Sequence, residues 1–303
     1  MRGGARVAGL GVVAVVLLAT MPGSAQAWGF DVHRFIADRA IALLPPPLKS
    51  FYERHRVTIV EHAIDPDLWR SAGFEEEPPR HFVDLDGLAA PPFTDIPRDY
   101  DAALAKFGQQ RLTENGTLPW RVSEMYDQLS KAFTQAGAGS SPYAVDNIKF
   151  FSSVLAHYVG DAHVPFHAVL NYDGQLTNQH GIHARFETEL FARYRGRLRL
   201  APPSVAPVHR PVDFIFDELI RGFGKTEGIL AADNAALGTA TAYDDGYFDR
   251  FFARTQPVLT EQLSRAIAGV AATWIGAWEA AGKPRVPLTT ARVVRTKRPP
   301  PAP

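Results

Sequence analysis

The chain has 303 residues, no cysteine and a formal net charge of zero. Without cysteine there is no disulfide staple, no thiolate-bound zinc and no cysteine nucleophile, so any metal must be held by His, Asp, Glu or main-chain atoms. Setting aside Arg2, Arg6 and the six cations from Lys283 onward, 24 of the 32 basic residues remain against 32 acidic ones, a body near −8 without the basic surface that a non-specific grip on nucleic acid needs.

Residues 1–27 read as a secretory signal peptide. Arg2 and Arg6 give a basic start, Ala8 to Leu18 is apolar, and Ala25-Gln26-Ala27 supplies a small-x-small cleavage pattern. The apolar run falls short of the roughly 20 residues of a membrane span, and an uncleaved anchor is the alternative. Cleavage after Ala27 would leave Trp28 with a free α-amino group and a secreted or periplasmic protein. Residues 28–282 are expected to form a single all-α domain. Val32, Ile36, Ala40 and Leu43 make an apolar helical stripe that stops at Pro45-Pro46-Pro47. A second helix is predicted over 48–64, and the Pro- and acid-rich stretch 65–97 reads as a long structured loop. Helices follow over 100–112, 119–135 (with Thr117 as N-cap), 143–162 and 182–195. Four more are predicted over 212–223, 226–236, 247–255 and 257–281, and strand signals are sparse. In the last helix Val258, Leu263, Ile267, Val270, Trp274 and Trp278 recur at helical spacing, which marks core. The Pro- and Arg-rich segment 283–303 has no apolar period and reads as a disordered tail.

The ten histidines include several at ligand spacing with carboxylates. His157 and Asp161 are i and i+4 on one helix, which puts both on one face, and His183 and Glu187 repeat the arrangement on another. His167 follows Asp161 across the helix-breaking Val164-Pro165. Any one such pair also arises as an ordinary surface contact. Two of them, with a histidine between and Trp28 five residues before His33, point to a metal centre.

These segments resemble the zinc-dependent phospholipase C and single-strand-specific nuclease superfamily. The resemblance rests on Trp28-Gly-Phe-Asp-Val-His33, on His157-Tyr-Val-Gly-Asp161-Ala-His-Val-Pro-Phe-His167 and on His183-Ala-Arg-Phe-Glu187. Arg80-His81-Phe82-Val83-Asp84 and Leu118-Pro119-Trp120-Arg121-Val122 are similar to its motifs as well. It implies an all-α fold with a trinuclear zinc site between helices. One zinc would be held by Asp67, His81, His157 and Asp161. A second would take the α-amino nitrogen and carbonyl oxygen of Trp28, His33, and Asp161 as a bridge. The third would take His167, His183 and Glu187. The implied chemistry is hydrolysis of a phosphoric ester by metal-activated water, with Asp67 orienting the nucleophile or taking its proton. Asp65 is the alternative carboxylate, and Asp67 is preferred because Asp67-Leu68-Trp69-Arg70 resembles the family's Asp-x-x-Arg pattern.

The substrate branch is open at this point. Glu187 as the last ligand, the missing cysteines and Asp31, placed where the phospholipases carry an acid that meets choline, favour a phospholipase C-like phosphodiesterase. The short Trp28-to-His33 spacing and Asp67-x-x-Arg70 favour a single-strand nuclease acting on DNA or RNA. Phe82 and Asp84 are further candidate substrate contacts, with a turn-capping role as the alternative for Asp84 and Asp86. A non-catalytic, zinc-stabilised helical binding protein would keep the same ligands. His55, His62, His163, His180 and His209 read as surface residues or as supports for a ligand.

Overall fold

Apolar residues at a period of 3.6 dominate the sequence, and the fold they produce is all-α. A computed structural model describes residues 29–289, and among them every regular element is helical. The expected signal peptide, Trp28 and residues 290–303 lie outside the described residues. α1 (Phe30–Ala42) buries Val32, Ile36 and Ala40 as the stripe requires. α2 (Pro46–Arg54) and α3 (Arg56–Glu61) follow, then a 3-10 turn (His62–Ile64) and α4 (Asp65–Ser71). α5 (Leu85–Leu88) is one turn, and α6 (Tyr100–Asn115) is interrupted at Gly108. α7 (Leu118–Ala138) and α8 (Ala144–Asp161) pack along each other. α9 (Ile182–Ala184), a π segment (Arg185–Glu189) and α10 (Leu190–Tyr194) run together as one continuous helix. α11 (Pro211–Leu237) and α12 (Asp245–Ala280) close the bundle.

α12 lies at its centre, against α1, α7, α8 and α11. Leu263, Ile267, Val270, Trp274 and Trp278 are buried, and Val258 is partly so. Trp274 hides its ring completely and still satisfies its indole N–H, which donates to the Ser152 carbonyl at 3.0 Å. This hydrogen bond ties α12 to α8. No helix among the described residues is long and apolar enough to cross a membrane.

The elements differ from expectation in five places. The helix expected over 48–64 breaks at His55, whose φ of −109° leaves the helical region. The loop expected from Asp65 begins as α4, because Pro66 sits in a first turn where its missing N–H costs nothing and Asp65 and Asp67 complement the helix dipole. The helices expected over 212–223 and 226–236 are one, since burial of Ile215, Leu219 and Ile229 along one face outweighs the propensity cost of Gly224. Those expected on either side of Pro257 are also one. Pro257 is exposed, so the carbonyl it orphans faces water. Finally, the tail begins later than Lys283: Trp278 donates to the Pro284 carbonyl at 2.9 Å, Val286 is buried, and the Leu288 carbonyl lies 2.9 Å from His55 Nε2.

Candidate metal centre

Four helices and two turns bring the candidate ligands together. α8 ends in His157 and Asp161, α1 contributes His33, and α4 contributes Asp67. His81 and His167 come from the turns, and His183 and Glu187 from the helix that contains the π segment. All eight are 5 % exposed or less. They fall into three sets able to hold a metal ion, the first two sharing His157: His33, His157 and Asp161; Asp67, His81 and His157; and His167, His183 and Glu187.

Asp161 stands between the first two sets. Its Oδ1 lies 3.4 Å from His33 Nε2, while Oδ2 lies 3.0 Å from His81 Nδ1 and 3.3 Å from His157 Nε2. His33 and His157 stack at 3.9 Å between centroids. In the third set His183 Nε2 is 3.1 Å from both His167 Nε2 and Glu187 Oε1. Two bonds of about 2.0–2.1 Å at a tetrahedral angle separate their donor atoms by roughly 3.3–3.4 Å, so these spacings suit zinc.

Tautomers sharpen the fit. His157 Nδ1 donates to the Ala63 carbonyl at 2.9 Å, and His167 Nδ1 donates to the His81 carbonyl at 2.6 Å. A carbonyl only accepts, so in each neutral ring Nε2 is left as a bare lone pair pointing into the cluster. Burial, with its neighbouring histidines, holds His167 well below its ordinary value, which keeps the ring neutral. Burial likewise lowers His33, with His157 adding to it. Both oxygens of Asp67, Oδ1 of Asp161 and both ring nitrogens of His33 are buried without a hydrogen-bond partner. A cation satisfies lone pairs and carboxylates that face one another in this way. Buried His, Asp and Glu groups able to hold metal ions are thus a property of the fold.

The two candidate carboxylates on α4 have separate places. Asp67 joins the cluster with His81 Nδ1 at 3.8 Å, whereas Asp65 pairs with His62 Nδ1 at 2.9 Å beside solvent. A cavity of about 400 Å³ opens onto the centre, walled by His81, His167 and His183 together with Arg70, Phe82, Asp84, Glu114, Phe166 and Tyr172. Phe82 and Asp84 line this cavity, and Asp31 does not. Its side chain is 82 % exposed, pairs with Arg34 at 3.8 Å and lines a separate depression with Thr188 and Arg195. Asp86 is a loop tie, accepting from Leu170 N–H at 2.8 Å. Thr117 precedes α7 but gives its hydroxyl to the Pro79 carbonyl rather than capping the helix.

The sequence reading passed over Glu77. It is buried, lies 3.5 Å from His81 Nε2, and is itself held by Arg80 and by the Tyr158 hydroxyl. A carboxylate behind a ligating imidazole fixes its ring and raises its basicity. Its i, i+4 spacing to His81 was the same signal used for His157 and Asp161. No protein-family model matches the chain, and no curated protein matches it in sequence.

Proposed function

We propose that the chain is an exported zinc-dependent phosphoric ester hydrolase, a phospholipase C-like phosphodiesterase holding three zinc ions. One observation carries this reading. Three buried donor sets are present, two of them sharing His157, and three of their histidines form the wall of a cavity that also contains Arg70. Zinc bound there would supply Lewis-acid charge to phosphoryl oxygens and an acidified water. Trp28, freed by cleavage after Ala27, would complete the donor set of His33.

The chain's own residues supply the rest. Asp67, with both oxygens unpaired, orients the attacking water and takes its proton. Arg70 offers a fork to the phosphate oxygens. Across the cavity Asp84 and Glu114 present carboxyl groups, and Phe82 and Tyr172 present rings, a wall suited to a cationic head group. Glu114 on that wall opposes a polyanion, which favours lipid over nucleic acid. Tyr172, 48 % exposed at the cavity, favours the second reading, a single-strand nuclease that stacks a base on it.

Purified zinc-loaded protein assayed on phosphatidylcholine and on single-stranded DNA and RNA decides between them. Release of phosphocholine is the expected result. Cleavage of nucleic acid with none of the lipid overturns the first reading in favour of the second. Metal-replete protein that cleaves no phosphodiester at all would be a zinc-stabilised binding protein.

A further inference from the structure

His183 and Glu187 sit on a turn whose opposite face is gripped by a buried polar cluster. At about 100° per residue, Arg185 projects away from both. Its side chain enters the bundle, where it is 7 % exposed. There Nη2 lies 3.1 Å from Asp233 Oδ1 on α11, and Nε donates to the Tyr247 hydroxyl on α12 at 3.0 Å. Nη1 donates to the His180 carbonyl at 2.7 Å and Nη2 to the Gln179 carbonyl at 3.2 Å. Tyr243 covers the guanidinium at 3.9 Å.

Asp233 is fully buried and spoken for on every side. The Tyr247 hydroxyl donates to Oδ1, and the Gln179 amide donates to Oδ2 at 2.7 Å. The backbone has made room for this arrangement. Gly181 is at φ +81°, and a Cβ there would come within 3.1 Å of Arg185 Nη1. The turn is also tied at its start, since Asp173 accepts from the Gly181 N–H at 3.0 Å. The helix between the two ligands adopts the π form, in which residues four apart change their angular relation from that of an α-helix. Something must hold that phase, and the buried ion pair of Arg185 with Asp233 grips the turn from behind, whereas the pairing of Glu189 with Arg193 lies at the surface.

We propose that Arg185 and Asp233 are positioning residues for the metal held by His167, His183 and Glu187, an inference that rests on the metal-centre reading above. The clamp sets the rotation of the turn so that His183 and Glu187 converge on His167. Neither residue touches metal or substrate. A clamp with this role affects one metal and leaves the other two in place, whereas a residue that merely stabilises the bundle affects all three alike.

The test counts metal. Wild type, Arg185→Lys and Asp233→Asn are purified with zinc, dialysed against a weak chelator and analysed for bound zinc, with helicity followed by circular dichroism. Both variants are expected to keep their helicity and lose one equivalent relative to wild type. Refilling it should need roughly 10- to 100-fold more free zinc. In a His183→Ala background that equivalent is already gone, and Asp233→Asn removes no more. Folded variants that keep the full complement, or that shed all metals together, overturn the proposal. Tyr247→Phe, which deletes one hydroxyl and keeps the ion pair, provides a reading if the stronger variants do not fold. A smaller rise in the zinc requirement supports the clamp, and no rise overturns it. A wild type that binds no zinc would sink the metal reading itself, with the clamp intact but purposeless.

Discussion

Asp161 meets His33 through one carboxylate oxygen alone, Oδ1 at 3.4 Å from Nε2. The other oxygen is turned toward His81 and His157, at 3.0 and 3.3 Å. Under the proposed reading a carboxylate divided in this way would serve two centres at once, whereas Glu187 belongs only to the set with His167 and His183. Asp161→Asn is therefore expected to lose two metals and Glu187→Gln one, measured as bound zinc per folded chain. Equal losses from the two variants would contradict a bridging Asp161.

Metal removal should cost stability as well as activity. Zinc present at 1,000 times a site's dissociation constant stabilises the folded state by about 4 kcal/mol per site. For a domain of this size each kcal/mol moves Tm by roughly 2–4 °C. Stripping even one site is then expected to lower Tm by about 10 °C, and differential scanning calorimetry before and after chelation reads the change. Restoring zinc should restore the transition. An unchanged Tm would mean that the buried donors do not bind metal.

Asp67 and Asp65 lie on the same first turn of α4 yet face different surroundings, cluster against solvent. If Asp67 handles the proton of the attacking water, Asp67→Asn lowers kcat by about 10²–10⁴-fold. Asp65→Asn loses only an exposed contact with His62 and should keep kcat within about twofold. Comparable kcat values for the two variants would remove Asp67 from the chemistry.

Much of the fold was legible because amphipathic periodicity reports burial, and burial decides α1, α7, α8 and the core stripe of α12. Continuity across Pro257 and Gly224 was not legible. There, exposure of one orphaned carbonyl and packing along a long face override local propensity, and both are tertiary facts. The start of α4 could have been read, since Asp65-Pro66-Asp67 has proline and acids where a first turn wants them. At the centre, i, i+4 pairs exposed His157 with Asp161 and His183 with Glu187, and the same spacing marks Glu77 with His81. Arg185 and Asp233, 48 residues apart, had no such signal. Nor did the displacement of Asp31, because direction around α1 is settled by what packs on it.

Asp84 gives a pH dependence whose sign is fixed. Burial first, then the charge of Asp86, pushes its carboxyl from 3.8 up to about 8. Between those values the folded chain keeps a proton that the unfolded chain has released, so stability falls as pH rises from about 4 to about 8 and levels off above. Asp84→Asn cannot ionise. Its Tm should exceed that of wild type by several degrees at pH 8 and match it at pH 4. A cationic head group in the cavity would draw the proton off Asp84, so the same variant should raise KM for phosphatidylcholine. Parallel Tm curves for the two proteins would show that the carboxyl is not held protonated.

The start of the described chain carries the last test. Gly29 N–H donates to Thr188 Oγ1 at 3.2 Å, and a Cβ on Gly29 would press to 2.9 Å of Thr188 Cγ2. The residue before α1 is thus pinned beside the turn that carries Glu187, and α1 delivers His33 into the cluster from there. Under the proposed reading the Trp28 amine and carbonyl chelate together with His33, which only a free terminus permits. A protein retaining one extra residue before Trp28 is expected to lose one zinc and most of its hydrolytic activity while keeping its helicity. Gly29→Ala tests the seat independently: crowding against Thr188 should weaken the same metal by about tenfold or more, in the range expected for residues supporting a metal ligand. Full metal content in the extended protein would take the terminus out of the metal centre and leave His33 with His157 and Asp161 as its partners.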